Sequence, residues 1–456
     1  MRPVSTDPAS ASVGGLVSPP PTPVVGTPST TVERLRVAAG SIALAGAVLA
    51  SAALAVGAAG GGRWFYVPAS VHGGFPDWVA GPLHGLRLPI APSGGALLLI
   101  ALALCYGVVL GCARTLPLRR VAIAIVLAHV AFLLAPPLFS SDVFGYLAYA
   151  RLDALHGFNP YAHGAGLASH DPVFPFIAWH DLTTPYGPLF TLTSLPFAWL
   201  GVPAGLWAMK LLAALLSLAC VSLVARIARR RELAPAAAIA FVGLNPLTLA
   251  YAVGGAHNDL LLMALLLAAL LLAVEGRERA GGAVAILAAS AKVSGALVLP
   301  FLIAGSERRR RALAGALAGA AAVSALAWAA FGTHAFELLS QVREQQRFVA
   351  PYAVPQKVAE LLGRDELPIA LRIGLEGALA AALLGLLWAT WRRRVAWIAA
   401  AGWATLALLV TTAWLLPWYV IWLLPLAAVG GDRRLRLLTL VFCCFVLWTN
   451  IERVLI

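Results

Sequence analysis

The residues best placed to do chemistry crowd into one stretch, SSDVFGYLAYARLDALHGFNPYAHG, at 140–164. It carries Asp142, Tyr146, Tyr149, Arg151, Asp153, two histidines and an Asn159-Pro160-Tyr161 directly after an apolar run. An ionised carboxylate within reach of a hydroxyl can take its proton as general base. The competing role for Asp142 is structural, a first-turn acid that complements a helix dipole, but Ser140 or Ser141 can already supply the cap. Its position beside Tyr146, Tyr149 and Arg151, at the end of a membrane-length segment, favours the base. Arg151 and Asp153 could form a local pair or hold the loop, with Arg151 otherwise a support for the base. Asn159-Pro160-Tyr161 is first a turn signal. His156, His163, His170 and His180 are scattered, without two ligands on one helix face, so no metal site is expected.

Three other groups join this stretch. GGAHNDLLLMALLLAALL (254–271) opens an apolar helix with His257, Asn258 and Asp259. Asn258 could be a cap, but three consecutive polar side chains exceed what capping needs, and a helix start binds anions or sugar hydroxyls. Lys292 lies within an apolar run, where an ionisable side chain is costly and by default functional. There it could meet a lipid phosphate as a point charge, or snorkel to the surface; for Lys210, snorkelling is the expectation. TAWLLPWYVIWLLPL (412–426) interleaves Trp414, Trp418, Tyr419 and Trp422 with prolines. It reads as an interfacial aromatic belt, with sugar stacking or an isoprenoid groove as the alternative.

The elements that must position these groups are membrane helices. The chain has 456 residues, 61% hydrophobic and only 12% charged, with a mean hydropathy of +0.85. A soluble domain of this size would need a far more polar surface, and a β-barrel would alternate in short segments. The fold class is therefore an all-α polytopic membrane protein. The formal charge of +13 sits in arginine clusters between apolar runs, as the positive-inside rule arranges it, and is no nucleic-acid signal. The five cysteines fall in predicted spans, so neither a disulfide framework nor a zinc site is expected.

Residues 1–33, rich in Pro, Ser, Thr and Gly, read as a disordered cytoplasmic tail ahead of a membrane domain at 34–456. Eleven full spans are expected, near 38–60, 94–113, 121–139, 205–225, 235–254, 258–275, 312–332, 369–390, 395–413, 415–430 and 435–450. GRER (276–279) and RRRR (308–311) both belong inside, yet one apolar stretch separates them. The physical resolution is a re-entrant pair of short helices broken at SAKVSG (290–295), with Lys292 at the tip. That makes about thirteen membrane elements, a multi-pass plasma-membrane protein with its N-terminus inside. The outside receives 61–93, 140–204 with interfacial helices, and 333–368, read as a second, acceptor-side loop.

These motifs together resemble a family. The 140–164 stretch is similar to the SDxYxYxxxxRxxxxGxNPY loop of membrane glycosyltransferases of the GT-C fold, and TPYGPL (184–189), GGAHNDLLLM (254–263) and AKVSGALVLPFL (291–302) follow in that family's order. The nearest likeness is to polyprenyl-phosphomannose-dependent mannosyltransferases, α-1,6 type, of lipomannan and lipoarabinomannan synthesis. Phe144 and Gly145 stand where the family often has tyrosine and arginine. The resemblance implies a GT-C fold, an extracytoplasmic active site, a polyprenyl-phosphate-mannose donor, a mannan or glycolipid acceptor, inversion at the anomeric carbon, and Asp142 as the base. The substrate-contacting candidates are then Tyr146, Arg151, Asn159, Tyr161, Tyr186, His257, Asn258, Asp259, Lys292 and Trp418. A lipid phosphate leaves readily, so no general acid and no cofactor is required; a divalent metal is compatible with this chemistry but not demanded by it. No nucleotide-cradling glycine loop is visible. Two rivals stand: a polyprenyl-phosphate-pentose (arabinofuranosyl) transferase of the same fold, and a secondary transporter, which predicts internal repeats and more charges within spans.

Overall fold

The computed structural model describes residues 30–61, 72–86, 88, 90–337, 340, 344 and 347–455. The expected tail, up to residue 29, and part of 333–368 lie outside them. Every regular element among the described residues is helical. The chain opens with α1 (Thr31–Ala59), α2 (Pro92–Cys112) and α3 (Leu118–Leu134). Next come α4 (Asp142–Ala154), α5 (Pro188–Ala198), α6 (Gly201–Arg230), α7 (Pro235–Gly243) and α8 (Asp259–Val274). α9 (Glu278–Ala291), α10 (Leu299–Gly305) and α11 (Arg309–Phe331) follow. The last helices are α12 (Val354–Leu361), α13 (Ile369–Trp391), α14 (Trp397–Thr411), α15 (Leu424–Val429) and α16 (Arg433–Leu455).

Among the described residues, six helices have the length and hydropathy to cross a membrane alone: α1, α2, α6, α11, α13 and α16. A seventh span arises if α7 is joined to the turn Leu247–Val253 across a 49° bend. The other expected spans exist as shorter apolar helices; α8, for instance, has 16 residues and rises about 24 Å, less than a hydrocarbon core of about 30 Å. In α8 the polar His257–Asp259 marks where the apolar helix begins.

The bend after α7 frees backbone groups inside the core. Asn245 answers with its side chain, accepting from the Leu247 N–H (2.9 Å) and donating to the Tyr106 hydroxyl (3.3 Å). Beyond it the hydrogen bonds widen to five residues, as from Gly254 N–H to the Leu249 carbonyl (2.9 Å). Such irregular backbone is tolerated at this depth because it is buried in protein.

α9 and α11 run side by side in the same direction. Gly315 lies against the Arg279 carbonyl and Gly319 against Ala283, with no Cβ to hold the helices apart. Two parallel neighbours need a return path between them. The chain supplies it at 292–305, where α9 stops, Lys292 is extended (φ −155°, ψ 132°), and a short 3-10 turn leads into α10. The start of α9 and the end of α10 therefore sit at one end of the bundle, where Arg393 donates to the Gly305 and Ser306 carbonyls (2.7 Å each). Arg226 and Arg230 meet Glu275, at the end of α8, at that same end. The start of α8 and the tip at Lys292 occupy the other.

Candidate active site

At that other end, two backbone corners meet. Phe139 (φ 60°) and Ala256 (φ 56°) are both left-handed, a strained state for residues with a Cβ. One turns the chain into Ser140–Asp142, the other into His257–Asp259. The Gly254 carbonyl ties the corners together by accepting from the Leu138 N–H (3.1 Å) and from Lys210 Nζ (3.0 Å). Lys210 thus does not snorkel. It is fully buried on α6, where it serves the Gly254 carbonyl as a second donor.

Asp142 begins α4, and its backbone N–H donates to Ser140 Oγ (3.1 Å). Its carboxylate is free of capping duty and turns to His257, with Oδ2 at 3.5 Å from Nδ1. Burial raises the Asp142 pKa, but the contact with His257 and the charge of Lys292 outweigh it, and the net position is below the ordinary carboxylate value. His257 lies flat on Trp418, ring centroids 3.6 Å apart. Asn258 precedes α8 without capping it. Instead its Oδ1 accepts from the Tyr146 hydroxyl (3.3 Å), and its backbone N–H donates to the same oxygen (3.3 Å). Asp259 is fully buried; its Oδ1 accepts from Lys292 Nζ (2.8 Å) and from the Trp422 indole (2.7 Å). The capping alternative for Asn258 does not hold: these polar groups pair with partners on other elements.

Lys292 stands over the Tyr419 and Trp422 rings, 4.7 and 5.4 Å from their centroids. Asp259 occupies one of its three donors, and its side chain keeps 16% exposure, so the ammonium can still receive an anion. The TPYGP segment closes over this tip: Gly187 N–H donates to the Ala291 carbonyl (3.1 Å), and a Cβ at Gly187 would collide with the Ser290 carbonyl. Tyr186 packs edge-on against Tyr146, 4.9 Å between centroids. The aromatic-belt reading of 412–426 is corrected as well. Trp418 and Trp422 are buried against His257 and Asp259 rather than facing lipid.

Three candidates lie elsewhere in the loop. Arg151 pairs not with Asp153 but with Asp171, its Nε at 2.8 and 3.0 Å from the two carboxylate oxygens, and it also donates to the Ala198 carbonyl (2.9 Å). Its role is to hold the loop. Burial works against ionisation of Asp171, yet hydrogen bonds from Arg151, His156 and the Val173 N–H bring its pKa below the usual carboxylate value. Asn159 closes its own turn, accepting from the Tyr161 N–H (3.0 Å), and reaches the end of α11 by donating to the Phe331 carbonyl (2.7 Å). The Tyr161 hydroxyl donates to the Tyr186 carbonyl (2.8 Å), bracing the lid segment from behind. Sequence reasoning did not single out Asp171, the Gly254 carbonyl or Trp422 in these roles; only Trp422 had a signal, its place in the aromatic run.

Among the described residues no three His, Cys, Asp or Glu side chains gather as a metal site. What the arrangement offers is a carboxylate held ionised, an ammonium with open donors, and aromatic walls.

Residues 43–308 match the profile of the Alpha-(1->6)-mannopyranosyltransferase family, N-terminal domain, and residues 366–450 that of the MptB C-terminal domain. Alpha-(1->6)-mannopyranosyltransferase A of Mycobacterium tuberculosis is 31% identical over 390 residues, 77% of this chain and 73% of that protein. Its counterpart in Corynebacterium glutamicum is 28% identical over 276 residues, 51% of this chain and about half (53%) of that protein. No solved structure matches the chain. With more than half its length under one family profile, and the site built from the motifs of that stretch, the chain belongs to the Alpha-(1->6)-mannopyranosyltransferase family.

Proposed function

We propose that the protein is an inverting mannosyltransferase of the GT-C class that moves mannose from polyprenyl-phosphate-mannose to a mannan or glycolipid acceptor at the extracytoplasmic face, with Asp142 as general base. The observation that carries the reading is that the Asp142 carboxylate, beside His257, and the partly open Lys292 ammonium, on Asp259, share the end of the bundle opposite the arginine-bearing end. The positive-inside rule makes the arginine end cytoplasmic, which supports an outward-facing site. The names of the relatives support mannose and the α-1,6 linkage.

The steps follow from the residues. An acceptor hydroxyl gives its proton to Asp142, and the oxygen's electron pair attacks the anomeric carbon from the face opposite the phosphate. The bond from that carbon to the phosphate oxygen breaks, and the polyprenyl phosphate leaves with the pair. Lys292 offsets the charge that grows on the phosphate. A phosphate needs no proton to leave, so the step calls for no second acid, in contrast to glycoside hydrolysis. The aromatic walls formed by Tyr146, Tyr186 and Trp418 limit water at the reacting carbon.

The test is transfer of radiolabelled mannose from polyprenyl-phosphate-mannose to an oligomannoside, with polyprenyl-phosphate-arabinofuranose offered in parallel. Asp142→Asn should lower the rate about 10²–10⁴-fold. Full activity in that variant would remove Asp142 as base, and transfer from the pentose donor alone would change the sugar.

A further inference from the structure

The base has an unassigned neighbour. His257 is buried, and its ring is fixed on one face by Trp418 at 3.6 Å. Nδ1 lies 3.5 Å from Asp142 Oδ2 and 3.4 Å from the Tyr146 hydroxyl oxygen. That hydroxyl already spends its proton on Asn258 Oδ1 and accepts from the Asn258 N–H, so toward His257 it offers a lone pair. Both groups facing Nδ1 are therefore acceptors, and the proton of the imidazole belongs on Nδ1. Nε2 has no partner among the described residues, an arrangement a bare lone pair tolerates better than an unpaired N–H.

We infer that His257 is a positioning residue for the base, donating from Nδ1 to the Asp142 carboxylate so that one oxygen is held and the other is left for the acceptor hydroxyl. The inference rests on Asp142 being the base. It gives the His-Asn-Asp motif a division of labour: His257 holds the base, Asn258 fixes Tyr146, and Asp259 holds Lys292. The other titratable groups that face Asp142 are Lys292 from the tip, Tyr146 and Tyr149 from its own helix, Tyr186 from the lid and Tyr419 from the 417–422 turn. The tyrosines stay neutral over the working range, so Lys292 and His257 are the groups that favour the ionised acid. The lowered Asp142 pKa agrees with that, since the contact with His257 favours the charge that burial opposes.

The readout is the acidic limb of kcat/KM against pH, which reports Asp142 losing its negative charge. His257→Leu removes the donor and must raise that limb by about one pH unit, about tenfold in rate on its acid side. His257→Asn puts an amide N–H where Nδ1 stands and must keep the limb near its wild-type position. If the leucine variant does not give folded protein, His257→Gln replaces it, since its amide falls at the Nε2 position and leaves Asp142 without the donor. An unmoved limb in the Leu or Gln variant, or an equal loss at all pH values in a folded Asn variant, would overturn the inference. Asp142→Asn, run beside them, separates the two ideas. If it is inactive while the limb stays unmoved, only the role of His257 fails. Should it be fully active, the base reading fails and the role of His257 with it.

Discussion

The Arg151–Asp171 pair offers the sharpest test of how the 140–204 loop is held. Asp171 accepts from both approaches of Arg151 Nε, from His156 Nε2 (2.8 Å) and from the Val173 N–H (2.9 Å), with its side chain 2% exposed. Removing one partner of such a pair strands a buried charge, which costs about 3–5 kcal/mol, whereas an exposed pair is worth about 1 kcal/mol or less. Asp171→Leu should therefore destabilise the protein by about 3–5 kcal/mol, and Arg151→Met by a similar amount. The double variant should recover most of that, because two apolar side chains leave no charge behind. Reversible unfolding in mixed micelles gives the free energies, and limited proteolysis between 165 and 182 reports the loop directly. The sign with pH is also fixed. Asp171 is held below its ordinary value, so its contribution is complete above the unfolded carboxylate value of about 3.9 and disappears as pH falls through the lower folded value. Single variants costing less than about 1 kcal/mol, with no recovery in the double, would refute the claim that this pair holds the loop.

Two further outcomes bear on the site. Gly187→Ala drives a methyl into the Ser290 carbonyl at the tip, so it should lift the TPYGP segment and lower kcat/KM at least tenfold; unchanged kinetics would mean that the segment does not close over Lys292. Lys210→Met leaves the Gly254 carbonyl with one donor and should cost about 1–3 kcal/mol of stability by unfolding titration, with Lys210→Arg no better because the pocket is closed.

The helical membrane architecture was legible because apolar composition and arginine spacing act over many residues at once. The break at Lys292 was legible for a sharper reason: two clusters of one sign at the ends of one short apolar run cannot both be inside unless the chain returns. Parallel α9 and α11, and the extended backbone at Lys292, are what that return looks like. The belt role for the tryptophans and the local Arg151–Asp153 pairing were misread because each inference used only neighbours in sequence, and the capping alternative for Asn258 had the same basis. The true partners stand far off: Asn258 meets Tyr146, Trp418 meets His257, and Arg151 meets Asp171. Lys210 shows the same limit. Nothing local announces that a carbonyl more than forty residues away will need its proton.

That dispersal has a consequence in time. Asp142 comes early, His257 and Lys292 follow, and Trp418 and Trp422 come near the end. At a synthesis rate of about 5–20 residues per second, the roughly 280 residues from Asp142 to Trp422 take about 14–56 s to emerge. Throughout that interval the early helices can be in the membrane while His257 has no ring to lie on and Asp259 has no indole. These contacts are therefore complete only once the last helices have been made.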